Sequence, residues 1–125
     1  DISDGLPGNT ITAIFQDKRE RLWIGTNGGK TVCWIDKNGL HQLSLLNGKD
    51  ENHINDIFQD RRGHIWFATA ADGLISYDGI IPVTYKATIN TIPENSVLSI
   101  GEDKYGNLWF GLASKGLVKY TLPIN

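Results

Sequence analysis

Asp17-Lys-Arg-Glu-Arg-Leu-Trp23 returns as Asp60-Arg-Arg-Gly-His-Ile-Trp66 and again as Asp103-Lys-Tyr-Gly-Asn-Leu-Trp109, each copy 43 residues after the last. Working outward from this heptapeptide, an asparagine stands eight residues before each aspartate, at Asn9, Asn52 and Asn95. A fixed period of this length is the mark of a repeat architecture, in which one supersecondary unit stacks against its own copies.

The second copy shows what the unit is. His53 to Gln59 carries apolar Ile54, Ile57 and Phe58 and reads as a strand. The turn residues Asp60-Arg-Arg-Gly63 follow, then Ile65-Trp-Phe-Ala-Thr69, rich in residues that favour strands. Ala70-Ala-Asp-Gly73 turns into Leu74-Ile-Ser-Tyr77, and Asp78-Gly79 turns into Pro82-Val-Thr-Tyr-Lys86, where proline suits an outer strand. Short runs separated by Gly and Asp turns describe an antiparallel meander. Leu22-Trp23-Ile24 and Ile65-Trp66-Phe67 are apolar without alternation, as in a strand covered on both faces.

Four-stranded sheets stacked around an axis are the blades of a β-propeller. The expectation is an all-β chain, a single partial β-propeller domain over residues 1–125. Its three four-stranded antiparallel repeats would form blades at about 9–46, 52–88 and 95–125, the third lacking a full outer strand. A β-sandwich would not explain the strict spacing.

Composition excludes several functional classes. A net charge of −2 gives no electrostatic reason to expect nucleic acid. No apolar run approaches the roughly 20 residues of a membrane span, and no signal peptide is present, so no membrane contact is expected of this segment. Cys33 has no partner for an internal disulfide and lies in apolar Val32-Cys-Trp-Ile35, which makes it a core residue. His41, His53 and His64 occupy different parts of the repeat and do not form a metal-ligand spacing. There is no P-loop, nucleophile elbow or Cys pair, so neither a cofactor, a metal nor a catalytic residue is expected.

The repeated aspartates Asp17, Asp60 and Asp103 lack the further oxygen ligands of a calcium loop and suit Asx-type turns that accept backbone N–H groups. The glycine three residues on supplies a left-handed position, but Glu20 replaces it in the first copy, so that hairpin is expected to be reshaped or strained. Trp23, Trp66 and Trp109 recur in every copy and so belong to packing between copies. Trp34, counted eleven residues after Trp23, aligns with Tyr77 and Tyr120. Recognition is expected instead where the copies differ, in the loops that enter the first strand and those that join the second strand to the third. The polar candidates there are Asn27, Lys30, His53, Asp72 and Lys115.

The segments Gly5-Leu-Pro-Gly-Asn-Thr-Ile-Thr-Ala-Ile-Phe-Gln-Asp17, Leu22-Trp-Ile-Gly-Thr26 and Asp72-Gly-Leu-Ile-Ser-Tyr-Asp78 resemble the two-component regulator propeller repeat. The departures are Glu20 for the turn glycine, Lys30 where Gly73 and Gly116 stand, and Ala68 where Gly25 and Gly111 stand. The first copy is thus the least typical, with a differently shaped Asn27–Lys30 loop expected. The resemblance implies a periplasmic sensor segment of a histidine kinase that recognises a small extracellular ligand such as an oligosaccharide and is not itself an enzyme. An assembly or interaction module is the alternative. A streptogramin-lyase-like enzyme, the third reading, would need a catalytic histidine, for which only His53 is placed. Three blades leave two faces open, so the chain is expected either to pair with a second copy, closing six blades, or to be completed by the remainder of a longer propeller.

Overall fold

The computed structural model describes residues 10–29, 31–44, 52–70, 73–85 and 94–120. Every element in it is a β-strand. The first sheet comprises β1 (Thr10–Gln16), β2 (Leu22–Gly29), β3 (Thr31–Asp36) and β4 (Gly39–Ser44). The second comprises β5 (Asn52–Gln59), β6 (Ile65–Thr69), β7 (Leu74–Tyr77) and β8 (Pro82–Tyr85). The third comprises β9 (Val97–Glu102), β10 (Leu108–Leu112) and β11 (Gly116–Tyr120). Within each sheet the strands pair antiparallel in chain order, and the end of β2 also pairs with β5 at Asn27 and His53. These are blades of an open propeller. An outer strand of the third blade would fall at 121–125, outside the described residues.

The stacking follows from the apolar pattern. All five residues of β6 and all four of β7 are buried, because the middle sheet has a neighbour on each face. Between the first two sheets lie Trp23, Val32, Ile54, Ile57, Ile65, Phe67, Ile75 and Tyr77. Between the second and third lie Trp66, Ala68, Leu74, Val97, Ile100, Leu108, Phe110 and Leu112. Each blade therefore has a front face, carrying its repeat tryptophan, and a rear face, carrying the apolar residues of its first strand. Trp23 meets Phe67 at 5.7 Å between ring centroids, and Trp66 meets Phe110 at 6.2 Å. Cys33 is buried, as expected of a core residue, and burial pushes its thiol pKa up.

The heptapeptide turns take one shape. Asp17 Oδ1 accepts the N–H groups of Arg19 and Arg21 at 2.8 and 3.0 Å, Asp60 Oδ1 those of Arg62 and His64 at 2.9 and 3.0 Å, and Asp103 Oδ1 those of Tyr105 and Asn107 at 2.9 and 3.0 Å. The other carboxylate oxygen accepts the indole N–H of Trp23, Trp66 or Trp109, at 2.8, 2.9 and 2.9 Å. Aspartate and tryptophan are thus one unit, the turn tying down the tryptophan that fills the interface. Among the described residues Glu20 is the single non-glycine with positive φ, at 64°, beside 93° at Gly63 and 88° at Gly106. The first hairpin therefore keeps the common shape and is strained, not reshaped.

One sequence alignment is corrected. Trp23 pairs with Trp34 across β2 and β3, whereas Trp66 pairs with Ser76 and Trp109 with Lys119. Trp34 thus stands where Ser76 and Lys119 stand, and Ile35 matches Tyr77 and Tyr120. The first blade holds one extra residue between its second and third strands. The offset places Thr31, not Lys30, at the repeat position of Gly73, while Lys30, and with it the expected shape of the Asn27–Lys30 loop, lies outside the described residues. Trp34 remains a packing residue, 5.0 Å from Trp23.

Each first strand carries a bulge at one repeat position: Thr12, Asn55 and Leu98 are the extra residues. A bulge turns its side chain out of the regular alternation. Thr12 Oγ1 donates to the Ile54 carbonyl, and Asn55 Nδ2 donates to the Val97 carbonyl at 2.8 Å, so each bulge latches its blade to the next.

Candidate functional site

Where their residues are described, strand entry and second hairpin lie side by side at one end of the strands in the second and third blades. Ala70 N–H donates to the His53 carbonyl and Ala113 N–H to the Ser96 carbonyl, at 3.0 and 3.1 Å, joining strand entry to the second hairpin within a blade. Gly73 N–H donates to the Asn95 carbonyl at 2.8 Å, joining the second blade to the third. Asn27 and His53 are brought together, their backbones paired across the first two blades, with His53 half-buried. Lys115 is exposed on the β10–β11 turn. Its N–H and that of Ser114 donate to Glu94 Oε1 at 2.8 and 2.7 Å, which holds Glu94 below the usual carboxylate range. Lys30 and Asp72 lie outside the described residues.

The opposite end of the strands holds a feature that the sequence reading missed. A cleft of about 630 Å³ runs between the heptapeptide turns of the first and second blades. Its lining includes Lys18, Arg19, Arg21, Arg61, Arg62 and His64, with Tyr77 and Asp78 on the far wall. Several of these cations are committed. Arg21 Nε reaches Asp17 Oδ2 at 2.7 Å, Arg61 Nε lies 3.5 Å from Glu102, and Arg62 lies 3.9 Å from Asp60. The side chains of Lys18 and Arg19 make no ion pair with a described residue. The N–H groups of Ile81 and Ile80 hold Asp78 below the usual carboxylate range. The signal was present in the sequence, since basic residues follow Asp17 and Asp60 at one repeat position and stacking brings such positions together. No group of three or more His, Cys, Asp or Glu among the described residues could hold a metal ion.

The model of a repeat family described as two component regulator propeller matches residues 5–28, 48–71 and 91–113. No curated protein matches the chain. Among solved structures, the extracellular domain of a hybrid two component system from B. thetaiotaomicron is 29% identical, with a TM-score of 0.68 over 88% of this chain. A second such extracellular domain from B. thetaiotaomicron is 21% identical over 96% of the chain, with a TM-score of 0.73. Virginiamycin B lyase from Staphylococcus aureus is similar in fold, at 17% identity and a TM-score of 0.68 over 92% of the chain. This chain spans 15%, 17% and 42% of the lengths of those three. No helix among the described residues is long and apolar enough to cross a membrane.

Proposed function

Since the chain belongs to the two component regulator propeller family, we propose that it is a ligand-sensing propeller segment of the extracytoplasmic part of a two-component signalling protein. One observation carries this reading. The family repeat recurs three times in register, and the 29% identical neighbour is an extracellular domain of a hybrid two component system. The segment acts by binding and not by catalysis, and its place is the periplasm. The ligand class that best suits loops with uncharged and charged hydrogen-bonding groups is a small polar molecule, with oligosaccharides first. The binding end is that of the second hairpins, with Asn27, Lys30, His53, Asp72 and Lys115 as contacts.

Isothermal titration of the chain against a panel of oligosaccharides tests this. Binding that His53→Ala or Lys115→Ala weakens about tenfold or more, the loss of one good polar contact, supports it. Absence of binding across the panel, or binding indifferent to both variants, removes the assignment of that end. Binding abolished instead by Arg19→Ala would move the site to the basic cleft.

A further inference from the structure

We infer that the cleft between the turns of the first two blades is a binding site for a small phosphorylated or sulfated polyol. This site is separate from the loops assigned to oligosaccharide, since it lies at the opposite end of the strands. The chain carries a net charge of −2, yet five of its 12 Lys and Arg line this one cleft. Asp78 is the single acidic residue in its described lining. Every described lining residue lies in or beside the heptapeptide turns of the first two blades or the β7–β8 hairpin of the second. The cleft thus sits within the stack, at an interface whose two sides are both present.

The equivalent cation at the second interface is neutralised. Arg61 lies against the turn at Gly106, where an added Cβ would meet it at 3.7 Å, and donates to the Asp103 carbonyl at 2.9 Å. Its Nε also lies 3.5 Å from Glu102. At the first interface Lys18 holds the Arg61 position and Gln59 the Glu102 position. Gln59 keeps the acceptor for the Lys18 N–H, at 2.8 Å, but not the negative charge. A Cβ at Gly63 would meet only Gln59, so the Lys18 side chain does not lie across its neighbouring turn as Arg61 does. Lys18 and Arg19 make no ion pair with a described residue, and exposed Arg62 is held loosely by Asp60, at 3.9 Å. Three cations without a close counter-ion concentrate positive potential in the cleft. Guanidinium and ammonium groups are also the donors that phosphate and sulfate oxygens accept from most strongly. The far wall supplies the second part of the specificity. Asp78 Oδ1 accepts the N–H groups of Ile80 and Ile81 at 2.8 and 3.0 Å, and an ionised carboxylate can accept about four hydrogen bonds. The remaining capacity suits a hydroxyl donor and repels a second anionic group. A bare anion would use one wall, whereas an anion on a hydroxylated carrier uses both. The volume of about 630 Å³ falls within the roughly 300–1,000 Å³ of small-molecule sites.

Isothermal titration of the 125-residue chain with glucose phosphate and glucose sulfate, each esterified at the primary hydroxyl, and with glucose tests this. Binding of an ester with glucose silent is expected, and the two esters separate phosphate from sulfate. Lys18→Gln and Arg19→Gln should each weaken that binding about fivefold or more, the loss of one charged contact. Salt should weaken it too, since the screening length falls from about 10 Å at about 0.1 M to about 3 Å at about 1 M. Lys104→Gln removes the same charge from the turn of the third blade and should leave binding unchanged. Gln59→Glu gives Lys18 the carboxylate that Arg61 finds in Glu102, so it should weaken binding about tenfold or more with strand circular dichroism unchanged. No binding of either ester, equal binding of glucose, or ester binding indifferent to Lys18→Gln, Arg19→Gln and Gln59→Glu would overturn the assignment.

Discussion

Glu20 is the one described residue at which local preference and repeat geometry disagree. A left-handed backbone costs a residue with a Cβ roughly 1–2 kcal/mol, partly offset in any glycine replacement by the entropy glycine loses on folding. Glu20→Gly should therefore stabilise the chain by up to about 1 kcal/mol, seen as a melting midpoint a few degrees higher. Gly63→Glu, at a site where the new Cβ would meet only Gln59 Nε2 at 3.9 Å, an ordinary contact, should lower it comparably. An unchanged midpoint in both would show that the turn relaxes freely. Asp60 is a stronger case. At 1% exposure it receives the N–H groups of Arg62, His64 and Trp66. Asp60→Ala leaves these donors without their acceptor and should cost roughly 3 kcal/mol or more, read from the urea midpoint. The aspartate turn, the glycine positions and the strain at Glu20 were legible in the sequence because each is a local backbone matter. The aspartate–indole bond was not, since six residues separate the partners and only the folded hairpin brings them face to face.

At the scale of elements, the strand boundaries follow from periodicity and turn residues. β6 and β7 occupy the expected residues, and β8 begins at the expected proline. Two features escaped. The bulges at Thr12, Asn55 and Leu98 have no common residue type, so nothing in the pattern marks them. The one-residue offset of β3 is hidden because the distance between repeat tryptophans stays at 43, the insertion being absorbed before β5. Stacking of elements is nonetheless encoded in pairs of residues. Gly25→Ala places a methyl group against Ile54 and should cost about 1–3 kcal/mol by overpacking. Adding Ile54→Ala removes the Cγ1 and Cγ2 that the new methyl group would meet and leaves only the Cβ, so the double variant should cost less than the sum of the two single changes. A coupling near zero in the double-mutant cycle would mean that the two residues do not set the blade spacing.

For the whole molecule, repetition announced the propeller, since a unit that is apolar on both surfaces must stack on copies of itself. Repetition says little of the ligand. Recognition resides in the loops that differ between copies, and the periodicity that fixes the scaffold places no constraint on them. Repetition also concentrates one ionic vulnerability. Burial works against the charge on Asp17, but hydrogen bonds from Trp23, Arg21 and Arg19 prevail and lower its pKa. At Asp103 the indole of Trp109 is the leading influence, and with Asn107 and Tyr105 it outweighs burial and holds the carboxyl well below the usual range. A folded-state pKa below the unfolded value of about 3.9 means that the unfolded chain binds more protons in that window. The contribution is then complete above about pH 4 and is lost as pH falls toward the folded-state value. The urea midpoint should accordingly fall below about pH 4. Asp103→Asn, which cannot titrate, should start from a lower midpoint at neutral pH and show a shallower acid decline. An acid limb of unchanged steepness in that variant would mean that acid unfolds the propeller through other carboxylates than those of its repeated turns.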